Sequence, residues 1–492
     1  MFNLFSSLNK EKLSKFNVII ENKDGYVFYN QLSGSLILFG QEEFNQYRKI
    51  LKNNFFVDSN FLNTLRENKF LISESFDEIE YMREKYNEKK REAHHKQITI
   101  VPTDKCNLGC YYCYEDKNQW KNMPEDVVQQ TKKFVELFLK SSPTKSFSVV
   151  WFGGEPTLNL SCIEELNSHF KIICDNNEIK YDQLMVTNGT NINEKVVERL
   201  SRIGIRDYQV TIDGYKEDHD KSRPFLSDLS IEEMSDVQIE QRKKINPNFG
   251  KFLNILDQPT VQKKKKSTYD EIINNMQIMH KNGFKISLRC NISSSNIKNH
   301  HKLLNHLEEL GLTKENECGG LVEPYVAQIF NHAGNENLRD LTREEFSDFE
   351  MQVKIKHCGS TPATANLTHF GGESCTANKQ FSFCISQSGK LTKCWHHVSN
   401  EKYVIGDVFD LDLAKNGFVD DYSPFDDQEC LTCSVLPTCL GGCKEGNKYY
   451  EKDYEEKNYH GCGTVRWNIR SRVNALYESV KNEQIKQEIS MN

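Results

Sequence analysis

The chain has 492 residues, 37% of them hydrophobic and 27% charged, enough for about three domains with a sizeable core under a heavily solvated surface. Its formal net charge of −7 gives no reason to expect nucleic acid or an anionic membrane as partner. No apolar run makes a signal-peptide core or reaches the roughly 18 residues of a membrane span, so the 16 cysteines read as metal ligands rather than disulfides, in a cytoplasmic protein.

Residues 1–92 read as a separate small α+β unit. Phe16 to Ile20 and Tyr26 to Tyr29 suit a hairpin across Asn22-Lys23-Asp24-Gly25, with Leu36 to Phe39 as a third strand after the turn at Ser33-Gly34. Glu42 to Leu51 sets Phe44, Tyr47 and Leu51 on one helical face, and Ser59 is placed to cap a helix bearing Leu62 and Leu65. Residues 77–96, dense in Glu, Lys and Arg, read as a solvated linking helix.

From Gln97 the pattern alternates. Strands are expected at 97–102, 146–151, 182–187, 207–212, 285–292 and 323–330, and helices begin near Pro124, Cys162, Asn193, Thr268, Ile297 and Thr342. Pro124 suits a first helical position, where its missing N–H would be unpaired anyway. Six β/α units imply a parallel sheet with helices outside. Six are too few to close an eight-stranded barrel, so residues 93–356 are expected to form a partial (β/α)6 barrel of the α/β class. A charged insertion at about 226–266, ending in Lys263 to Lys266, interrupts the rhythm. It is either a lid or substrate guide, or a solvated surface excursion.

One loop stands out within this barrel. After the strand-like Gln97 to Pro102 comes Thr103-Asp104-Lys105-Cys106-Asn107-Leu108-Gly109-Cys110-Tyr111-Tyr112-Cys113-Tyr114. Three thiolates at these spacings can hold three irons of a cubane and leave the fourth iron without a protein ligand. A closed zinc site would want four ligands, and the bacterial ferredoxin run has another spacing. The loop resembles the Cys-x3-Cys-x2-Cys signature of the radical S-adenosylmethionine (SAM) family, in which Tyr112 is the aromatic residue before the third cysteine. The resemblance implies a partial barrel, SAM chelating the open iron of a [4Fe–4S] cluster on Cys106, Cys110 and Cys113, and reductive cleavage to a 5′-deoxyadenosyl radical. It also implies that Gly153, Gly154 and Glu155 bind the amino group of SAM, and that Thr211 and Arg223 contact SAM, Arg223 at its carboxylate. Thr187 and Asn188, closing the third strand, either line the pocket or form an ordinary strand-to-helix turn.

Eight further cysteines fall between 375 and 462. Cys430-x2-Cys433-x5-Cys439-x3-Cys443 alone could be a zinc knuckle. With Cys375 and Gly389-x4-Cys394 before it and Cys462 after it, the pattern resembles the SPASM extension of peptide-modifying radical SAM enzymes. By that resemblance residues 357–475 form a cysteine-rich domain with two auxiliary [4Fe–4S] clusters, making three in all, and 476–492 a tail. One cluster would take Cys375, Cys394 and Cys443, with Cys384 as a fourth ligand unless it is a strand thiol of the alternating Phe381 to Ile385. The other would take Cys430, Cys433, Cys439 and Cys462. Residues 1–92 resemble the winged-helix-like domain that recognises peptide leaders.

The expected activity is therefore that of a peptide maturase. It would install an intramolecular cross-link, carbon–carbon or related, in a ribosomally made precursor peptide, with flavodoxin or ferredoxin as electron donor and no nucleic-acid or membrane partner. Thioether formation, epimerisation and sulfatase-type maturation are the near alternatives. Trp395, standing where sulfatase-maturating enzymes carry an aspartate, lowers the last. An iron–sulfur electron carrier or a zinc-stabilised binding module is the alternative of another class.

Overall fold

The structure is a computed structural model that describes residues 11–54, 56–113, 115, 120–228, 266–329, 341–361, 365–367, 370–373, 375–398, 400–419, 422–443 and 462–491. The charged insertion lies largely outside these residues. The chain divides into two compact units, Met1–Arg91 with Thr342–Cys375 and Asp420–Asn492, and Glu92–Leu341 with Thr376–Val419.

In the first unit, β1 (Glu11–Leu13) pairs antiparallel with β5 (Leu71–Ser73), while β2 (Asn17–Asn22), β3 (Gly25–Asn30) and β4 (Leu36–Phe39) form an antiparallel meander. Gly25, at φ +141°, is required at the β2–β3 turn, because a Cβ there would lie 2.5 Å from the Phe39 carbonyl oxygen. The helices α1 (Gln41–Ile50) and α2 (Ser59–Glu67) follow. The cap of α2 is Asp58, one residue before the expected Ser59, its carboxylate accepting from the N–H groups of Asn60 and Phe61.

The next helix, α3 (Glu78–Lys90), corrects the expectation of a solvated linker. Met82 and Tyr86, one turn apart, are fully buried against Phe16, Phe370, Phe425, Leu436 and Leu440. Even its charged ends are engaged. Glu78 accepts from Ser14 Oγ (2.5 Å) and Lys15 N (3.0 Å), and Lys90 Nζ donates to the Tyr422 carbonyl (2.9 Å). The other face of the meander, Ile20, Val27 and Tyr29, packs with Leu367, Val473 and Tyr477. The last two belong to the helix Val465–Met491, which runs through 476, where a tail was expected to begin. Residues 11–90 thus share their core with the C-terminal part of the chain.

The second unit holds β6 (His95–Ile100), α4 (Glu125–Lys140), β7 (Ser146–Trp151), α5 (Leu160–Asn176), β8 (Lys180–Thr187), α6 (Glu194–Ile203), β9 (Asp207–Ile212), α7 (Lys216–Ser222), α8 (Thr268–Lys281), β10 (Lys285–Ile292), α9 (His300–Glu309) and β11 (Leu321–Gln328). The six strands are parallel and lie in sequence order. Beyond β6 the sheet continues into β12 (Ser382–Ile385), parallel to it, then β13 (Lys390–Thr392) and β14 (Gly406–Asp407), each antiparallel to the strand before it. The class is α/β with one large, mostly parallel sheet. Pro124 proves to be the N-cap of α4, extended at ψ 159°, rather than its first helical residue. Among the described residues no helix is long and apolar enough to cross a membrane.

Candidate radical SAM site

The loop after β6 carries the first three cysteines, Cys106 buried and Cys110 and Cys113 half-buried. It is pinned from several sides. Asp104 accepts from Lys121 N and from Gln387 Nε2, the latter at 2.9 Å. The segment after α7 bonds along it: Gly109 N donates to Pro224 O (2.9 Å) and Leu226 N to Asn107 O (2.8 Å). Asn188 Nδ2 reaches Asn107 Oδ1 (2.8 Å) and Cys106 Sγ (3.7 Å).

Gly153 and Gly154 follow β7, and their glycine character has a local cause. A Cβ on Gly153, at φ +116°, would come within 2.6 Å of the Thr103 carbonyl oxygen, and one on Gly154 within 2.3 Å of that of Lys105. Two backbones meet here, joined by Gly154 N to Thr103 O (3.2 Å) and Glu155 N to Lys105 O (2.7 Å).

Glu155 is held from several sides. Its carboxylate is fully buried and accepts from Thr157 N (3.1 Å), Thr157 Oγ1 (2.6 Å), Thr187 Oγ1 (2.9 Å) and Asn188 N (2.7 Å). Burial raises its pKa and these donors oppose the rise. A carboxylate with its lone pairs so occupied ties the end of β8 to the Gly-Gly turn, and it does not line the cavity.

In front of the loop lies a cavity of about 230 Å³. Cys106, Cys110, Tyr112, Cys113, Gly153, Gly154, Thr187, Asn188, Thr211 and Arg223 all line it. Tyr112 hydroxyl is a junction: it donates to Asp213 Oδ1 (2.9 Å) and accepts from Arg223 Nη1 (2.7 Å) and Asn291 Nδ2 (2.8 Å). Arg223 is 7% exposed, and its Nε is buried without a hydrogen-bond partner. Burial opposes its charge, but Cys110, Tyr112 and Asp213 together keep the guanidinium protonated. An orphaned guanidinium N–H beside three thiols fits a carboxylate-bearing ligand next to a metal cluster. His219, in the same segment, is buried and held neutral; its Nδ1 accepts from Asp213 N (3.1 Å).

The cavity also has walls that the sequence reading missed: Gln209, Arg289, Asn291 and Gln328 from β9 to β11, and Trp395 and His396. The signal was present. Parallel strands covered on both faces read as nearly continuous apolar runs, and Arg289 and Asn291 break one.

The later cysteines divide between the units. Cys384 lies on β12 opposite Thr99 and Thr392, packed with Val101, Phe152 and Val398. Its strand character is as the alternation indicated. Cys394, extended and two residues beyond Thr392, falls on the same face as Cys384, while Lys393 points the other way, over the Phe383 ring. Cys375 and Cys443 are exposed and belong to the first unit. There, Cys430, Cys433, Cys439 and Cys462 are neighbours. Burial pushes the Cys430 thiol up to about 12, with Asp427 and the other three cysteines adding to the rise. Cys439 Sγ accepts from Gly463 N (3.4 Å) and Cys462 Sγ from Arg466 Nη1 (3.5 Å). Among the described residues no three His, Cys, Asp or Glu side chains close on a single ion. A cubane, whose thiolates bind separate irons, does not require that convergence.

A parallel α/β sheet with a three-cysteine loop at its strands' C-terminal ends, over a polar cavity, defines the class. The sequence profile of the Radical SAM superfamily matches residues 100–231, so the chain carries a radical SAM domain. It is 26% identical over 283 residues, half of this chain and 57% of the relative, to the radical SAM cyclopropyl synthase TigE of Paramaledivibacter caminithermalis. It is 31% identical over 128 residues, 25% of this chain and 37% of the relative, to a GTP 3′,8-cyclase of Clostridium botulinum. The chain thus spans little more than half, or well under half, of the length of these curated relatives. The solved structure of anSMEcpe with bound AdoMet and Cp18Cys peptide shares the fold at 16% identity, with a TM-score of 0.51 over 81% of this chain and all of that one.

Proposed function

We propose that the protein is a radical SAM maturase that joins two carbons within a ribosomally made precursor peptide. The observation that carries this reading is the cavity. It gathers the three cysteines, the two glycines, Thr187, Asn188, Thr211 and Arg223, with an unpartnered Arg223 Nε among them. Cys106, Cys110 and Cys113 would hold one [4Fe–4S] cluster. Arg223 would take the SAM carboxylate, with Gly153, Gly154, Thr187, Asn188 and Thr211 beside it and the Gly153-Gly154-Glu155 segment at the SAM amino group. When bound, cluster and SAM supply a 5′-deoxyadenosyl radical that takes a hydrogen atom from the substrate. The chain's own part is to fix the loop through Asp104, Asn107 and Asn188, to anchor Tyr112 on Asp213, Arg223 and Asn291, and to keep water out.

The name of the cyclopropyl synthase relative favours a carbon–carbon bond, since a cyclopropane ring closes on carbon alone. The Cp18Cys peptide bound in the anSMEcpe structure favours a peptide substrate. In this reading residues 1–92 receive the leader peptide, and the region 357–475 holds two auxiliary clusters. Cys430, Cys433, Cys439 and Cys462 serve one of them; Cys375, Cys384, Cys394 and Cys443 serve the other. The shared face of Cys384 and Cys394 supports their ligating together. A flavodoxin or ferredoxin in the cytoplasm would supply electrons. The test is to incubate the reconstituted protein, SAM and reductant with peptides encoded beside its gene. A two-dalton loss in one peptide, with 5′-deoxyadenosine formed, is expected. A two-dalton loss that alkylation assigns to a cysteine sulfur would favour the thioether instead.

A further inference from the structure

We infer that Arg289 is a subsite for a carboxylate of the substrate, an inference that rests on the radical SAM peptide reading above. Arg289 lies on β10, with Thr211 and Tyr325 as its neighbours on β9 and β11. It lines the cavity two residues, about 7 Å of strand, deeper than Asn291, whose amide bonds the Tyr112 hydroxyl of the cysteine loop. Arg289 thus lies further than the loop from the strands' C-terminal ends, with Gln209, in register with Ser287, deeper still.

The partners of Arg289 are neutral. Its Nε donates to Asn291 Oδ1 (2.8 Å), and its charge acts on the Tyr325 hydroxyl, which itself donates to Gln209 Oε1 (2.7 Å). Among the described residues it makes no ion pair. The buried carboxylates near the cavity are committed elsewhere: Asp213 to Ser222 and Tyr112, Glu155 to Thr157, Thr187 and Asn188. Glu115 lines the same cavity.

A half-buried guanidinium has a fork of donors suited to a carboxylate, and keeping it without a counter-charge costs stability unless something supplies one. Arg223 stands beside the loop, where the SAM carboxylate is assigned. The carboxylate for Arg289 therefore comes from what enters below it, the substrate. Its source is either an Asp or Glu side chain or the C-terminal carboxylate of the peptide. The subsite would fix which residue faces the reacting carbon.

The test uses the full-length, cluster-reconstituted protein saturated with SAM, in anaerobic equilibrium dialysis. Four probes form two arms: N-acetyl-aspartate amide against N-acetyl-asparagine amide, and N-acetyl-alanine against N-acetyl-alanine amide. A charge-assisted contact predicts that the acid binds at least about tenfold more tightly than its amide in one arm, and that arm names the source. Arg289→Gln should bring the ratio to within about twofold, while Arg289→Lys keeps part of it. Equal binding of acid and amide to the wild-type protein would overturn the inference, as would a preference that survives in Arg289→Gln. If Arg289→Gln fails to fold, the wild-type ratios and Arg289→Lys still decide. Failure of the broader reading shows separately, as SAM that yields no 5′-deoxyadenosine on reduction.

Discussion

The chain's two described groups of neighbouring cysteines are built on opposite plans. Cys106, Cys110 and Cys113 sit on a loop facing a cavity of about 230 Å³, with an unpartnered guanidinium N–H beside them. Cys433, Cys439 and Cys462 lie near Cys430 and add to the rise in its pKa, while Cys439 and Cys462 receive N–H bonds from Gly463 and Arg466. Three thiols with space in front suit a cluster that must take a ligand. Four thiols near one another suit a cluster that only passes electrons or holds the fold. The difference lies in what surrounds the sulfurs, more than in their spacing.

That contrast can be broken in several places. The largest effect is expected from Cys106→Ala, which should remove about four irons per chain and reduce SAM cleavage to background, read by iron analysis and product chromatography. Next, Arg223→Gln should weaken SAM binding by about tenfold to a hundredfold, from about 1.5–3 kcal/mol for a charge-assisted contact, measured by equilibrium dialysis. Cys430→Ser should also cost about four irons, yet leave SAM affinity within about twofold; a parallel loss of affinity would mean that the two sites are not separate.

Smaller effects concern the scaffold. Gly154→Ala should destabilise the protein by about 1–3 kcal/mol, seen as a lower Tm, because the new Cβ meets two backbone carbonyls of the cysteine loop. A pH effect is expected at Lys96, a buried residue on β6 whose Nζ bonds the Ser141 hydroxyl (2.9 Å) and whose pKa burial lowers to about 8. Below about 8 both folded and unfolded chains are protonated here and the cost of burying the charge is constant. Between about 8 and 10.5 only the unfolded chain keeps the proton, so stability rises with pH. Relative to Lys96→Met, the wild-type protein should gain at most about 1.4 kcal/mol per pH unit across that window in chemical denaturation.

Much of the second unit was legible because each strand is a short apolar run between turn signals. The expected strands at 146–151, 207–212 and 285–292 coincide with β7, β9 and β10. The Gly-Gly pair was legible too, although its cause, two backbones in contact, was not. Other features depended on partners far along the chain. The charges of α3 hid Met82 and Tyr86, whose burial needs Phe370 and Phe425. The strands β12 to β14 are too short to announce that they extend the sheet from β6. Arg289 shows the same limit: its residue type was visible, its place in the cavity was not. A residue type names a possible chemistry, and the donors and acceptors around it decide whether that chemistry is free for a ligand.

The most direct measurement is the yield of 5′-deoxyadenosine and methionine from SAM when the anaerobically reconstituted protein is reduced with dithionite. The two products should appear in about equal amounts from the wild-type protein and disappear in Cys106→Ala. Reduced, cluster-loaded wild-type protein that binds SAM and releases neither product would contradict the account.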